Sequence, residues 1–372
     1  MTFSDLGLTD ALLATISKMA YEKPYPIQEA VIPAILAGKD ILGIAQTGSG
    51  KTAGFALPIL QYFQSKQVTR NRYIKALILV PTRELAVQVG QVFKQLEENL
   101  PRQVKILTVH GGVSINPQMI KLQGVEILIA TPGRLLDLYD KKALELSTLD
   151  ILVLDEADKM LNMGFREEMH RIFNLLPVKR QNLLFSATLG KDIDTITEIL
   201  LHDPVRIEIS LEIVNPELIR QTGYYVTDEK KGPLLRTLIK ELQLKQVLVF
   251  TSSIHMADSV VHKLKINGIK ALALHGAKSQ GARTDALRYF KTGEIDVLVA
   301  TDLASRGLDI PALPTVINYE LPRSPKDYIH RIGRTGRAGV AGHAISFVSP
   351  EEEHHFKVIQ KKMGIWVEME SF

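Results

Sequence analysis

The chain of 372 residues reads as an α/β protein made of two parallel-sheet units, each sheet covered by helices on both faces. Three observations predict this. Short, continuous apolar runs alternate with longer helical stretches, the pattern of strands buried on both faces. The length exceeds what one ordinary core holds and favours two domains. The halves also echo each other in order: KILTVHGGVS (105–114) resembles KALALHGAKS (270–279), VEILIATPGR (125–134) resembles IDVLVATDLASRG (295–307), and KALILVPTREL (75–85) has a looser counterpart in KQVLVFTSS (245–253).

Taken in order, DILGIA (40–45) is a strand, 53–64 a helix, KALILVP (75–81) a strand and ELAVQVGQVFKQLEENL (84–100) a helix. A strand ending in His-Gly, a helix and a strand ending in Ala-Thr follow, and the second half repeats that order. The boundary falls near ISLEIVNPELI (209–219), where a strand pattern ends and a Pro-containing segment begins. The expected domains are 1–208 and 219–372, joined by a linker at 209–218. After residue 340 come a strand, AGHAISFVS, a charged helical stretch (350–363) and the ending GIWVEMESF.

Composition sets the outer limits. Hydrophobic residues are 45% and charged residues 23%, which is ordinary globular usage. There is no cysteine, which excludes disulfides and thiolate metal sites and fits a reducing compartment. The start lacks a basic segment followed by an apolar core, and the apolar runs are too short to cross a bilayer, so a cytoplasmic protein with no membrane contact is expected. The net charge of +4 permits a nucleic-acid partner without demanding one.

Chemistry concentrates in two stretches of the first half. AQTGSGKT (45–52) follows a strand and opens a helix, the context of a phosphate-binding loop, although Ala45 stands where the usual pattern has glycine. Backbone N–H groups around Thr47, Gly48, Ser49 and Gly50 would wrap phosphate oxygens, Lys51 would reach the β- and γ-phosphates, and the Thr52 hydroxyl would ligate Mg²⁺. The second stretch, ILVLDEADKM (151–160), runs from an apolar strand into three carboxylates. Strand C-termini of a parallel sheet share one crevice, so Asp155 would hold Mg²⁺, directly or through water, and Glu156 would orient and deprotonate the attacking water. Asp158, one step further, suits a neighbouring loop. In the second half FTSSIHMAD (250–258) occupies the place of the phosphate loop, so only the first unit is equipped to grip a phosphate chain.

AQTGSGKT and DEAD, together with YEKPYPIQ (21–28), PTRELA (81–86), Gly111-Gly112, TPGR (131–134), SAT (186–188), ATDLASRGLD (300–309) and HRIGRTGR (330–337), resemble the DEAD-box ATP-dependent RNA helicases over nearly the whole chain. The resemblance implies two tandem RecA-like domains with ATP and RNA bound across their cleft. It also implies roles for residues. Gln28 would recognise adenine, Tyr21 would stack on the base, and Phe3 would support that element. Arg334 and Arg337 would be the arginine fingers. His330 would face the nucleotide and the Ser186–Thr188 loop, and Asp309 would bind the ribose. Asp158, Ser186 and Thr188 would couple the nucleotide and RNA sites. Thr82, Arg83, Gly112, Thr131, Gly133 and Arg134 would meet the RNA backbone in the first domain, and Arg283, Thr301 and Asp302 in the second. Such contacts carry no base information, and RNA would be preferred over DNA through its 2′-hydroxyls.

The implied activity is RNA-stimulated ATP hydrolysis coupled to domain closure, with local unwinding of short duplexes or remodelling of RNA–protein complexes. A non-catalytic, nucleotide-gated RNA clamp and a DNA translocase are the rival readings. The resemblance to compact bacterial members extends to a monomer working with ribosome-assembly or RNA-degradation proteins.

Overall fold

A computed structural model describes residues 1–372 except 20, 46–47, 67–70, 210–217, 303–312 and 337–339, and gives the backbone alone at 191 and 326. It divides into two units, Met1–Leu211 and Glu212–Phe372. Nearly all of the expected linker lies outside the described residues.

In the first unit the order is α1 (Asp10–Lys18), α2 (Pro26–Leu36), β1 (Ile41–Ile44), α3 (Lys51–Gln64), β2 (Ala76–Leu79), α4 (Arg83–Glu97), β3 (Ile106–Val109), α5 (Asn116–Lys121), β4 (Ile127–Ala130) and α6 (Pro132–Asp140). Then come β5 (Ile151–Leu154), α7 (Ala157–Asn162), α8 (Arg166–Phe173), β6 (Gln181–Ser186), α9 (Lys191–Leu200) and β7 (Val205–Glu208). The strands form one parallel sheet in the order β3-β4-β2-β5-β6-β1-β7. Alternate side chains point to opposite faces of a strand. Ala76, Ile78, Ile127, Ile129 and Val153 therefore enter one core with Phe55, Phe93 and Phe185, while Leu77, Leu79, Leu128, Leu152 and Leu154 enter the other with Leu135 and Met160. Both faces are dry, which is why these strands read as unbroken apolar runs.

The second unit runs β8 (Ile219–Tyr225), α10 (Asp228–Glu241), β9 (Val247–Thr251), α11 (Ile254–Ile266), β10 (Ala271–Leu274), α12 (Gln280–Lys291), β11 (Val297–Thr301), β12 (Thr315–Asn318), α13 (Pro325–Ile332), β13 (Gly342–Val348), α14 (Glu353–Met363) and β14 (Glu368–Ser371). Its parallel sheet has the order β10-β11-β9-β12-β13-β8-β14. Counted from the first strand of each unit, both sheets run 3-4-2-5-6-1-7. The three echoes in the sequence fall on equivalent strands: β3 with β10, β4 with β11, β2 with β9. The same face alternation recurs, with Val247, Val249, Val297 and Val299 on one side and Leu248, Phe250, Leu298 and Ala300 on the other.

The strand order also sorts the candidate residues. At the C-terminal edge of the first sheet, β5, β6 and β1 lie side by side and lead into DEAD, SAT and the Gly-rich loop. The neighbouring trio β3, β4 and β2 leads into Gly111-Gly112, TPGR and PTRELA. One edge carries both sets, half and half.

Candidate active site and RNA-facing edge

Ala45 follows β1, and its N–H donates to the Ser186 carbonyl at 3.0 Å, so the Gly-rich loop departs beside the end of β6. Gln46 and Thr47 lie outside the described residues. Gly48 and Gly50 have φ of 89° and 86°, the left-handed region that glycine alone occupies cheaply. A Cβ on Gly50 would lie 2.6 Å from Gln28 Nε2 and 2.8 Å from Tyr25 Cδ2. α3 begins at the next residue, and the first N–H groups of a helix have no partner within it, which makes this turn a seat for an anion. Lys51 is buried and donates to the Ala45 carbonyl at 2.6 Å; Ser49 and Thr52 are half-buried beside it.

Gln28 joins α2 to this loop. The Tyr25 N–H donates to its Oε1 at 3.0 Å, and its Nε2 donates to the Gly50 carbonyl at 2.9 Å. A primary amide has two donors and two acceptor lone pairs, so one of each is left for a base edge. Phe3 stacks on Tyr21 with centroids 6.5 Å apart and planes 26° apart, and Phe3 itself belongs to the core.

The carboxylates emerge at the end of β5, where the Asp155 N–H donates to the Leu79 carbonyl at 3.0 Å. Asp155, Glu156 and Asp158 are 3%, 2% and 8% exposed. Burial pushes the Asp155 carboxyl up to about 6, with Glu156 adding to the rise and Lys51 and Lys159 opposing it. Its Oδ1 is buried and accepts no hydrogen bond. Against these three carboxylates stand two lysines, leaving a net negative charge in a dry place. A divalent cation fits that deficit, with the orphaned Oδ1 as its acceptor. Among the described residues no group of three or more His, Cys, Asp or Glu could hold a metal unaided, so the ion would share its shell with phosphate oxygens and water, as Mg²⁺ commonly does.

Glu156 caps α7 in the left-handed region, with φ 54° and ψ 47°. Its Oε1 lies 2.6 Å from Lys159 Nζ. Asp158 accepts from the Thr188 hydroxyl at 2.9 Å through Oδ2 and from the Lys159 N–H at 3.0 Å through Oδ1. The Ser186 hydroxyl donates to the Thr188 carbonyl at 2.7 Å and receives the Thr188 N–H at 3.2 Å. The structure thus brings together Lys51, Asp155, Glu156, Asp158, Ser186 and Thr188. Lys159 is absent from the sequence-based set; its spacing of three from Glu156 on a helix is the signal that finds it.

On the other half of the edge, Thr82 caps α4 by accepting the Leu85 N–H at 3.2 Å. Gly112 has φ 76°, and a Cβ there would fall 1.7 Å from Arg83 Nη1, so only glycine lets Arg83 lie along this turn. Thr131 precedes α6 as its cap, and Gly133 faces open space. Arg134 is buried and donates from Nη2 to the Val113 carbonyl at 2.9 Å, while its Nη1 has no acceptor. That donor suits a phosphate oxygen.

In the second unit Thr301 ends β11 and Asp302 follows it, and both are half-buried. The Asp302 carboxylate is committed to Arg331, which donates to it from Nε at 2.6 Å and from Nη2 at 2.7 Å. Arg331 Nη1 adds the Asn318 Oδ1 at 3.1 Å and the Glu320 carbonyl at 2.6 Å, and its guanidinium lies 4.9 Å from the Phe250 ring centroid. The Asp302 carboxylate is thus engaged within the second unit. Arg283 lies in the first turn of α12, and His330 near the end of α13, both half-buried. Arg334 is buried in the turn after α13, where its N–H donates to the Arg331 carbonyl at 3.1 Å. Asp309 and Arg337 lie outside the described residues.

Comparison with known proteins agrees with this layout. Residues 25–196 match the DEAD/DEAH box helicase model and residues 230–339 the helicase conserved C-terminal domain. The ATP-dependent RNA helicase CshA of Listeria monocytogenes is 41% identical over 360 residues, 96% of this chain and 68% of that protein. The DEAD-box helicase CshA of Streptococcus pneumoniae is 43% identical over 361 residues, covering 97% of this chain and 68% of its own. Among solved structures, Saccharomyces cerevisiae Dbp5 bound to RNA and ADP BeF3 matches with a TM-score of 0.84 at 30% identity, covering 100% of this chain and 95% of that one. A DEAD box protein from Methanococcus jannaschii matches at 37% identity with a TM-score of 0.56, covering 100% of this chain and 99% of that one. With both domain models in sequence and relatives matched across almost its full length, this chain belongs to the DEAD-box ATP-dependent RNA helicases.

Proposed function

We propose that this helicase divides its chemistry between the two halves of the first sheet's edge and the arginine segment of the second unit. Lys51 and the N–H groups at the start of α3 hold the β- and γ-phosphates of ATP. Thr52 and Asp155 hold Mg²⁺, in part through water, and the bound ion would neutralise charge on the phosphate oxygens. Glu156 orients the attacking water and takes its proton. Arg334 and Arg337 supply the positive charge that the γ-phosphoryl group needs as its bond to the leaving group lengthens, an effect worth ~10³-fold or more in rate. Tyr21 and Gln28 select adenine, and Asp309 holds the ribose.

RNA lies along Thr82, Arg83, Gly112, Thr131, Gly133 and Arg134, with Arg283, Thr301 and Asp302 from the second unit. Asp158, Ser186, Thr188 and His330 connect that track to the nucleotide. RNA binding then favours the hydrolytic arrangement, and hydrolysis relaxes it. The enzyme works as a monomer, since one chain holds the carboxylates, the lysine and the arginines. The cysteine-free composition supports a reducing, cytoplasmic setting. The resemblance to compact bacterial members points to RNAs and protein partners of ribosome assembly or RNA turnover.

The observation that carries this reading is the buried, unpartnered Asp155 Oδ1 at the end of β5, separated by the single strand β6 from β1 and the Gly-rich loop. Glu156→Gln should keep ATP and lose turnover, leaving a long-lived complex with RNA. Wild-type hydrolysis by that variant would refute the assigned base. Assaying the wild type with RNA, DNA and no polynucleotide tests the track: stimulation by RNA alone is expected, and equal stimulation by DNA would overturn it. Sequencing RNAs cross-linked to Glu156→Gln identifies the physiological substrates.

A further inference from the structure

We infer that Lys159 is a positioning residue for hydrolysis, whose ammonium holds the Glu156 carboxylate in the orientation from which it takes a proton from water. The inference rests on the reading of Glu156 as the general base.

Three features of the first unit carry it. The first is backbone geometry. Glu156 stands at φ 54° and ψ 47°, a conformation unfavourable for a non-glycine residue that survives only where the surroundings fix it. The left-handed cap takes the Glu156 backbone out of the extended conformation of β5. Lys159, three residues on along α7, meets it there at 2.6 Å.

The second is burial. The two side chains are 2% and 12% exposed, so the pair is shielded from the water that makes surface ion pairs nearly worthless. A lysine kept there gives up hydration that it would enjoy on the outer face of a six-residue helix.

The third is connection. The Lys159 N–H donates to Asp158 Oδ1, and Asp158 Oδ2 accepts from Thr188. One residue thus holds the base with its side chain and the coupling aspartate with its backbone. A shift of the Ser186–Thr188 loop that moved Asp158 would move Lys159, and with it the carboxylate of the base.

An ammonium on a base could instead act as a brake that weakens it until RNA arrives. The two roles predict opposite signs, and position is the one the left-handed cap favours. Holding the base still gains more when its backbone is already fixed.

The test compares Lys159→Met, Lys159→Gln, Glu156→Gln and the double variant Lys159→Met/Glu156→Gln in the full chain, without RNA and at saturating RNA. Lys159→Met should lower kcat ~10-fold, a part of the 10²–10⁴ that a placed base supplies. The KM for ATP and the affinity for RNA should stay within about twofold, because the residue acts on the base and not on the bound phosphates. In the Glu156→Gln background, Lys159→Met should cause no further loss, since a residue acting through Glu156 has nothing left to act on. Lys159→Gln, which keeps a polar end without the charge, repeats the measurement if the methionine variant does not fold. Unchanged kcat, raised RNA-free hydrolysis, a parallel loss of nucleotide affinity, or additive losses in the double variant would each overturn the inference. If Glu156→Gln itself turns over like wild type, the base assignment fails first. If Glu156→Gln is inactive while Lys159→Met matches wild type, the inference about Lys159 fails alone.

Discussion

Single residues in this protein hold charge where water is scarce, and they do so in two contrasting ways. Asp155 is buried with an oxygen that accepts nothing and with its carboxyl pushed up to about 6, so above that pH the ligand-free protein carries an ionised group at a cost to its stability. Asp155→Asn should therefore raise the melting temperature of the nucleotide-free protein at neutral pH while abolishing Mg²⁺-dependent ATP hydrolysis. A lowered melting temperature would show that the ionised carboxylate is already well satisfied. Arg331 is the opposite case, buried but with its donors spread over Asp302, Asn318 and Glu320. Arg331→Met removes the cation from the half-buried Asp302 carboxylate and a donor from the buried Asn318 side chain, and should lower the denaturation midpoint of the second unit. The motifs made Lys51 and the carboxylates legible in the sequence, because their spacing after a strand is itself the chemistry. They hid Lys159 and the engagement of Arg331, because each depends on where a side chain points within a tertiary setting.

Elements were legible where burial leaves a periodic mark. The four-residue strands β2, β4 and β5 are buried at every position, and the unbroken apolar runs announce them. The last strand, β14, gave no such mark: EMES is largely exposed along the edge, and it joins the sheet through backbone pairing with β8. Its pairing brings Glu370 to the β8 edge, across from His343 on β13, the strand on the far side of β8. His343 Nε2 lies 3.0 Å from the Thr222 hydroxyl on β8; burial lowers its pKa, Arg220 lowers it further and Glu370 from β14 opposes them. A depressed histidine stays neutral in the folded unit after the unfolded chain has begun to take up a proton. Stability contributed by this site is thus present above an unfolded pKa of about 6.5 and declines as pH falls through the folded value. Denaturation of the second unit at falling pH should show this decline, and His343→Gln should flatten it. An unchanged slope in the variant would assign the acid sensitivity to other groups.

For the whole molecule, duplication explains what was easiest to read. Two sheets with the same 3-4-2-5-6-1-7 order place equivalent strands at equivalent edges, and sequence echoes survive on three of them. Function breaks the symmetry. The first unit has the Gly-rich loop and buried carboxylates, and the second has FTSS at the equivalent strand end and the HRIGRTGR segment later in the chain. On the proposed assignment the hydrolytic residues are divided between the two halves, so that ATP turnover would wait for RNA. Arg334 carries the test. Its backbone is fixed by the turn after α13, where its N–H donates to the Arg331 carbonyl and its own carbonyl accepts the Leu313 N–H at 3.0 Å. Arg331 is in turn clamped to Asp302, next to Thr301 on the proposed RNA track. Arg334→Gln removes a guanidinium and leaves that frame in place. RNA-stimulated hydrolysis should fall by ~10³-fold, the usual worth of an arginine finger, while ATP affinity, held by the first unit, changes little. A fall in affinity matching the fall in rate would instead make Arg334 a ground-state ligand, and the waiting step would have to lie elsewhere in the chain.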